Sequence, residues 1–321
     1  MSKKISFINF WETFNPEESI FYKILNKYFE LECTDLVHAE YVFYSVWGDD
    51  HLYAPENAVK IYFTGENRTP NFNECDYALG FERLSFRDRY MRFPLYYIYP
   101  EFQILEQKHI GINKHILETK KGFCSFTVSN GTCQTRNQMF KLLNSYKPVD
   151  SGGKFLNNIG RRIEDKFTFD KKHKFSIAFE NFSYNGYCTE KIVQAFAAQT
   201  IPIYWGDEQC EEIFNPKAFI NVHKYKNLNE VLERVKEIDN NDELYLKMLS
   251  QPALISEQEN YTNKMLQLED FLLNIFSQPH EVARRRTRMS YQETTKHIKM
   301  MEAYYRSKMS VIRQLYHWIK N

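Results

Sequence analysis

The sequence predicts an α/β protein of two domains followed by a basic helical tail. Short apolar runs that end in polar clusters alternate with amphipathic stretches, the pattern of strands feeding helices in a parallel sheet. The chain has 321 residues, more than one ordinary domain holds, so two domains of about 150 residues are expected. One stretch, residues 174–207 (KFSIAFENFSYNGYCTEKIVQAFAAQTIPIYWGD), reads as a strand, a polar loop, a helix and a second, parallel strand. With 43% apolar and 26% charged residues the chain can bury a core, which excludes general disorder. No window of about 18 apolar residues offers a membrane span.

Residues 5–10 read as a first buried strand, 11–16 as a loop, and 17–29 as a helix with Ile20, Phe21, Ile24, Leu25 and Tyr28 on one face. Residues 41–46 form another apolar run, closing on Trp47-Gly48-Asp49-Asp50. Residues 59–64 (VKIYFT) form a third, closing on Gly65-Glu66-Asn67, and residues 76–80 (DYALG) continue the alternation. Together these make a Rossmann-like first domain, residues 1–115. Gly65 permits a sharp exit from its strand and leaves the Glu66 carboxylate at the sheet edge. There Glu66 is either a solvated or capping group or a carboxylate free to face a cleft, and Asp49 and Asp50 occupy an equivalent edge. Residues 100–121 are polar and irregular and read as the interdomain connection.

The second domain, residues 116–280, starts with a strand at 122–128 (GFCSFTV), a turn at 129–131 and a helix over 136–143. Arg136, at the start of that helix, is either a surface charge or a fixed cation aimed at phosphate. Residues 149–153 (VDSGG) read as a loop with no assigned chemistry. Residues 174–179 alternate like a strand, and 180–186 carry the Asn, Ser and Gly of a turn. A short buried helix then starts near Thr189, a plausible N-cap, and residues 200–205 (TIPIYW) form the parallel strand. A loop at the carboxyl ends of parallel strands, facing a helix N-terminus, suits an anionic ligand, so a phosphorylated one is expected. Glu190 can accept both hydroxyls of a ribose and Lys191 can meet a diphosphate. Equally, Glu190 suits the helix dipole and Lys191 can be a solvated charge. Residues 228–238, 242–249 and 260–276 read as further helices.

The wording of the central stretch goes further than this chemistry requires. FEN, YxTEK and IPIYWG resemble the nucleotide-sugar signature of the α1,3/4-fucosyltransferases, glycosyltransferase family 10. Three more segments agree in order: YFTGENRTPNFNECDYALGF (62–81), RDRYMRFPLYY (87–97) and FTVSNGTCQTRNQMF (126–140), so that about half the chain is covered. The resemblance implies a GT-B type fold, two Rossmann-like domains facing a central cleft, with a C-terminal helix around 261–276 crossing back to the first. It implies GDP-fucose as the donor substrate, with no cofactor required and no metal site. It implies Glu66 as general base, Glu190 on the ribose, Asn181 near the donor sugar or its phosphates, and Arg136, Tyr187 and Lys191 on the diphosphate. It implies an inverting α1,3-fucosyltransferase acting on the GlcNAc of N-acetyllactosamine-type acceptors, with a Lewis X-type product. α1,4 or dual specificity, another nucleotide sugar, and a membrane-associated sugar-nucleotide-binding protein without transfer stay open. No DxD triplet is present to hold a metal on a nucleotide diphosphate, which weakens a metal-dependent GT-A reading.

The last 41 residues differ from the rest. Residues 281–321 hold ten Lys or Arg against three Glu, a net +7 that the formal +1 of the whole chain conceals. Ile298, Met301, Tyr305, Met309, Ile312, Leu315 and Ile319 form one apolar stripe, with Arg306, Arg313 and Lys320 off it, Trp318 near the end, and Arg284, Arg285, Arg286 and Arg288 before it. A basic amphipathic helix of this kind suits an anionic membrane surface; packing on the protein and self-association are the alternatives, and no nucleic-acid motif is interleaved. Six cysteines without a CxxC pair read as free thiols in a reducing compartment. The expected location is cytoplasmic, with peripheral contact to the inner membrane, as in a bacterial family member.

Overall fold

The computed structural model describes residues 2–107, 109–256, 259–287, 289, 293 and 296–309. The chain divides into two compact units, one of Met1–Gly80, Ser85–Met91 and Glu269–Asn321, the other of Phe81–Leu84 and Arg92–Leu268.

The first unit is built on strands β1 (Lys3–Ile8), β2 (Leu31–Cys33), β3 (Tyr41–Tyr44), β4 (Val59–Phe63), β5 (Tyr77–Gly80) and β6 (Tyr90–Arg92), in the sheet order β2-β1-β3-β4-β5-β6. β1 lies parallel to β2 and β3, β3 to β4, and β4 to β5. All residues of β3, β4 and β5 are buried, so they read as continuous apolar runs rather than alternating ones. Aromatic rings fill much of this core: Phe7 stacks on Phe43 at 5.0 Å, Phe10 on Phe14 at 4.0 Å, and Tyr41 on Phe276 at 4.1 Å. The high aromatic content therefore serves packing here.

Helix α1 spans only Ile20–Leu25, its start fixed by the Ser19 hydroxyl, which accepts the Tyr22 N–H at 3.2 Å. Tyr28, expected on the buried face, lies beyond the helix and is exposed, its hydroxyl donating to Glu269 at 2.7 Å. Helix 280–283 leads into Arg285 and Arg286, which turn inward. Asp76, fully buried, accepts the backbone N–H groups of both and pairs with the Arg286 guanidinium at 2.9 Å. Arg285 bonds the Tyr77 hydroxyl and Asp88. These two arginines belong to the fold of the unit rather than to a solvated basic run. Residues 296–309 are helical, with Met301, Tyr305 and Met309 exposed; Ile312, Arg313, Leu315, Trp318, Ile319 and Lys320 lie outside the described residues.

In the second unit, β7 (Gly122–Phe126), β8 (Val149–Ser151), β9 (His173–Phe179), β10 (Ile201–Trp205) and β11 (Ile220–Asn221) form one parallel sheet in the order β11-β10-β9-β7-β8. Residues 149–151, expected as loop, are the edge strand, pairing Val149 with Cys124. The glycines after it have a packing role: a Cβ on Gly153 would stand 2.1 Å from the Val128 carbonyl oxygen. Around the sheet lie α2 (Ile116–Thr119), α3 (Gln134–Tyr146), α4 (Lys166–Lys171), α5 (Glu190–Ala197), α6 (Leu228–Asp239) and α7 (Asp242–Leu249). Their apolar faces build a core that includes Phe126, Met139, Phe175, Ile203 and Val235. Residues 100–107, expected as irregular connection, form a 3₁₀ helix that buries Phe102 and Leu105 in this unit. Helix α8 (Tyr261–Ser277) ends the unit, and from Glu269 its residues belong to the first.

Candidate active site

The expected strand, loop, helix and strand of residues 174–207 are all present, with β9 and β10 parallel and α5 between them. Ile192, Val193, Ala195 and Phe196 bury the helix against the sheet, which fixes its first turn beside the end of β9. Thr189 takes the N-cap position, yet its side chain makes no cap hydrogen bond. Glu180, the residue just after β9, draws it away.

Glu180 is fully buried. Its Oε1 accepts the Thr189 N–H at 2.7 Å; its Oε2 accepts the Thr189 hydroxyl at 2.7 Å and the Lys191 ammonium at 2.9 Å. A buried carboxylate is costly unless so many donors meet it, and here backbone, hydroxyl and cation converge on one group. Sequence reading placed Glu180 among turn residues. The signal for it was its position: an acid directly after the buried apolar run Ile177-Ala178-Phe179 has little route to bulk water.

Lys191 also stands 3.5 Å from Glu190, and its side chain keeps only 19% of its exposure. Burial works against its charge, but Glu180 and Glu190 outweigh that and raise its pKa above the usual lysine value. The ammonium is therefore a fixed cation, not the solvated surface charge that spacing alone allowed. For Glu190 burial pushes the carboxyl up; the Lys191 charge and a backbone N–H prevail and hold it below the ordinary value.

Arg136 sits in the first turn of α3 and is 1% exposed, which removes the surface-charge reading. Its guanidinium donates to the Phe179 carbonyl at 3.2 Å, to Asn181 Oδ1 at 3.0 Å, and to the Asn130 carbonyl. It thus holds the Asn181 side chain at the strand end, while Arg136 Nε is buried without a hydrogen-bond partner. Tyr187 is buried and packs edge-on against Phe81, with ring centroids 5.3 Å apart. Arg136, Asn181, Glu190 and Lys191 thus gather around the ends of β9 and α5, with Tyr187 on the loop between them.

Glu66 belongs to the first unit and is exposed after β4. The Thr64 hydroxyl accepts its N–H at 3.0 Å and donates to its carbonyl at 2.9 Å, which fixes the backbone where the carboxylate leaves the strand. The rival Asp50 accepts the Asn9 amide at 2.6 Å. Among the described residues no group of three or more His, Cys, Asp or Glu is gathered as a metal ion would need. Nor is any helix there long and apolar enough to cross a membrane.

Two parallel sheets, the second with a cation and two carboxylates at a helix N-terminus, define a GT-B-like α/β protein. Residues 5–99 match the alpha-(1,3)-fucosyltransferase FucT N-terminal domain, and residues 117–300 match the glycosyltransferase family 10 (fucosyltransferase) C-terminal region. The chain belongs to glycosyltransferase family 10. It is 33% identical to alpha-(1,3)-fucosyltransferase FucT of Helicobacter pylori, with 78% of this chain and 60% of that protein covered. The chain therefore spans less than two thirds of the length of that curated relative. Among solved structures, an alpha1,3-fucosyltransferase with GDP-fucose matches with a TM-score of 0.70 and 32% identity, covering 84% of this chain and 90% of that one. An alpha1,3-fucosyltransferase with GDP matches with a TM-score of 0.70 and 30% identity over 85% of this chain and 90% of that one.

Proposed function

We propose that this protein is an inverting α1,3-fucosyltransferase that moves L-fucose from GDP-β-L-fucose to the GlcNAc of N-acetyllactosamine-type acceptors, giving a Lewis X-type product. The observation that carries this reading is the cluster at the ends of β9 and α5, in a chain similar to one solved with GDP-fucose. In this reading residues 116–280 bind the donor and residues 1–115 the acceptor. Glu190 accepts the ribose hydroxyls, Asn181 lies beside the donor sugar or its phosphates, and Lys191, Arg136 and the Tyr187 hydroxyl meet the diphosphate.

The reaction is a single displacement. The acceptor hydroxyl oxygen bonds to the fucose anomeric carbon while Glu66 takes its proton. The bond from that carbon to the β-phosphate oxygen breaks, and GDP leaves with the electron pair. Negative charge grows on the diphosphate as this happens, so cations already fixed there favour the transition state over the ground state. Lys191, held charged by Glu180 and Glu190, is suited to that task. The exposed apolar side chains of helix 296–309, next to basic residues, support peripheral contact of a cytoplasmic bacterial enzyme with an anionic membrane.

The test is a mass-spectrometric transfer assay with GDP-fucose and N-acetyllactosamine, with and without EDTA, beside other nucleotide sugars. A deoxyhexose mass gain that survives EDTA is expected, with NMR of the product giving an α1,3 linkage. Gain only with another donor overturns the substrate while keeping the fold.

A further inference from the structure

The loop between β9 and α5 is tied down by a residue from far outside the signature. Arg83 lies in Phe81–Leu84, the four residues between β5 and β6 that belong to the second unit. Every one of its five N–H groups has an acceptor. Nε donates to Glu212 at 2.9 Å; Nη1 donates to Asn185 Oδ1 at 2.7 Å and Asp207 Oδ1 at 3.0 Å; Nη2 donates to Asp207 Oδ2 at 2.9 Å and to the Gln209 carbonyl at 3.0 Å. Asp207, 1% exposed at the end of β10, also accepts the Gly186 N–H at 2.8 Å. The guanidinium fork therefore joins the loop, directly at Asn185 and through Asp207 at Gly186, to the turn that follows β10.

The loop is pressed onto the same short segment. Gly186 has φ +88°, and a Cβ there would stand 2.6 Å from the Phe81 carbonyl oxygen. Tyr184 and Tyr187 both set their ring edges against Phe81, at 6.0 and 5.3 Å, and Arg92 Nε holds the Phe81 carbonyl at 3.0 Å. Ser183 bonds the Gly206 carbonyl and the Thr189 N–H bonds Glu180, ties from within the strand, loop and helix unit itself, while Arg136 of α3 holds Asn181 at the start of the loop.

We propose that Arg83 is a positioning residue for the donor, acting through Asp207 and Asn185 to hold the loop that carries Tyr187 and delivers Glu190 and Lys191. This rests on the reading that GDP-fucose is the donor. Lysine at this position has a point charge and three donors, and cannot reproduce a bidentate fork with three further acceptors. A loosened loop lowers donor affinity in ground state and transition state alike, so KM for the donor rises while kcat holds.

The experiment compares the full chain with Arg83→Lys and Asn185→Ala by initial rates in each substrate, GDP binding by calorimetry, and thermal unfolding. Arg83→Lys is expected to raise the KM for GDP-fucose about tenfold and weaken GDP to match, since hydrogen bonds to charged groups are of that size, with kcat and acceptor KM within about twofold. Asn185→Ala, an exposed side chain whose removal leaves the fold intact, moves the same constants in the same direction by about threefold. Unchanged donor KM in Asn185→Ala and in folded Arg83→Lys overturns the proposal, as does a fall in Tm or kcat alone. A wild-type chain that binds no GDP overturns the donor reading itself, and the proposal with it.

Discussion

The Lys191 ammonium lies 2.9 Å from Oε2 of Glu180, a carboxylate with no exposure to solvent. The pair has two consequences. It keeps the lysine charged despite burial, and it fixes the direction of a flexible four-carbon side chain before any ligand arrives. Preorganisation of this kind lowers the cost of binding a diphosphate and of stabilising charge that develops on it.

Lys191→Ala is expected to weaken GDP binding and to lower transfer by about 100-fold or more, the scale of losing one charge-stabilising contact in a transition state. It also strands Glu180 as an unpaired buried carboxylate, at about 3 kcal/mol of stability, so Tm falls with it. Lys191→Arg restores the charge and hence much of the Tm but not the geometry. Calorimetry with GDP beside a thermal melt separates the two effects. Wild-type GDP affinity in folded Lys191→Ala would remove this residue from the donor site.

Glu66→Gln keeps the size of the side chain and removes its basicity. Transfer is expected to fall by about 100-fold or more, within the range for loss of a general base, while GDP-fucose binds as before. Equilibrium binding and single-turnover transfer on the same preparation check both halves. Transfer at the wild-type rate hands the role to another group, with Asp49 and Asp50 the next to be changed.

Much of the candidate site was legible because it is local. An alternating strand, a turn and a short helix with an apolar buried face follow one another within residues 174–205, and each is dictated by its own sequence. Partners distant in sequence were not legible. Arg83 meets Asp207, and Arg286 meets Asp76, across separations of 124 and 210 residues that no period or propensity encodes. Thr189 illustrates the intermediate case: its N-cap position was readable, but the competing acceptor Glu180 was not, because that contact exists only once β9 and α5 are packed. Residues 149–151 were missed for a related reason, since three residues form a strand here only by pairing with β7.

Stability should rise with pH through one buried lysine. Burial, aided by Arg286, pushes Lys60 from its ordinary value near 10.5 down to about 7, although Asp76 acts the other way. Between about pH 7 and 10.5 the unfolded chain then binds a proton that the folded one does not, so the cost of burying the charge is relieved as pH increases. Lys60→Met removes that cost altogether. Its gain in Tm relative to wild type should be larger at pH 6.5 than at pH 9.5, by about 4 °C. Equal gains at both pH values would falsify the assignment of the titration to Lys60.

Removing the basic C-terminal stretch has different consequences depending on where the cut falls. Asp76, fully buried, accepts four hydrogen bonds: the Lys60 N–H and Arg286 Nε on Oδ2, and the Arg285 and Arg286 N–H groups on Oδ1. A chain ending at residue 280 loses three of them and leaves the carboxylate with one donor, which is expected to cost about 3 to 5 kcal/mol and to lower Tm and yield together. A chain ending at residue 295 keeps all four and lacks only the exposed helix over 296–309 and the residues after it. It should therefore melt like the full chain and fucosylate a soluble acceptor at the same rate. If the stretch contacts membrane, the shorter chain also fails to float with vesicles of anionic phospholipid, while the full chain floats and is released by salt. Equal Tm for the chains ending at 280 and 295 would show that Arg285 and Arg286 do not hold the first unit together; flotation of the 1–295 chain would move the membrane contact elsewhere on the protein.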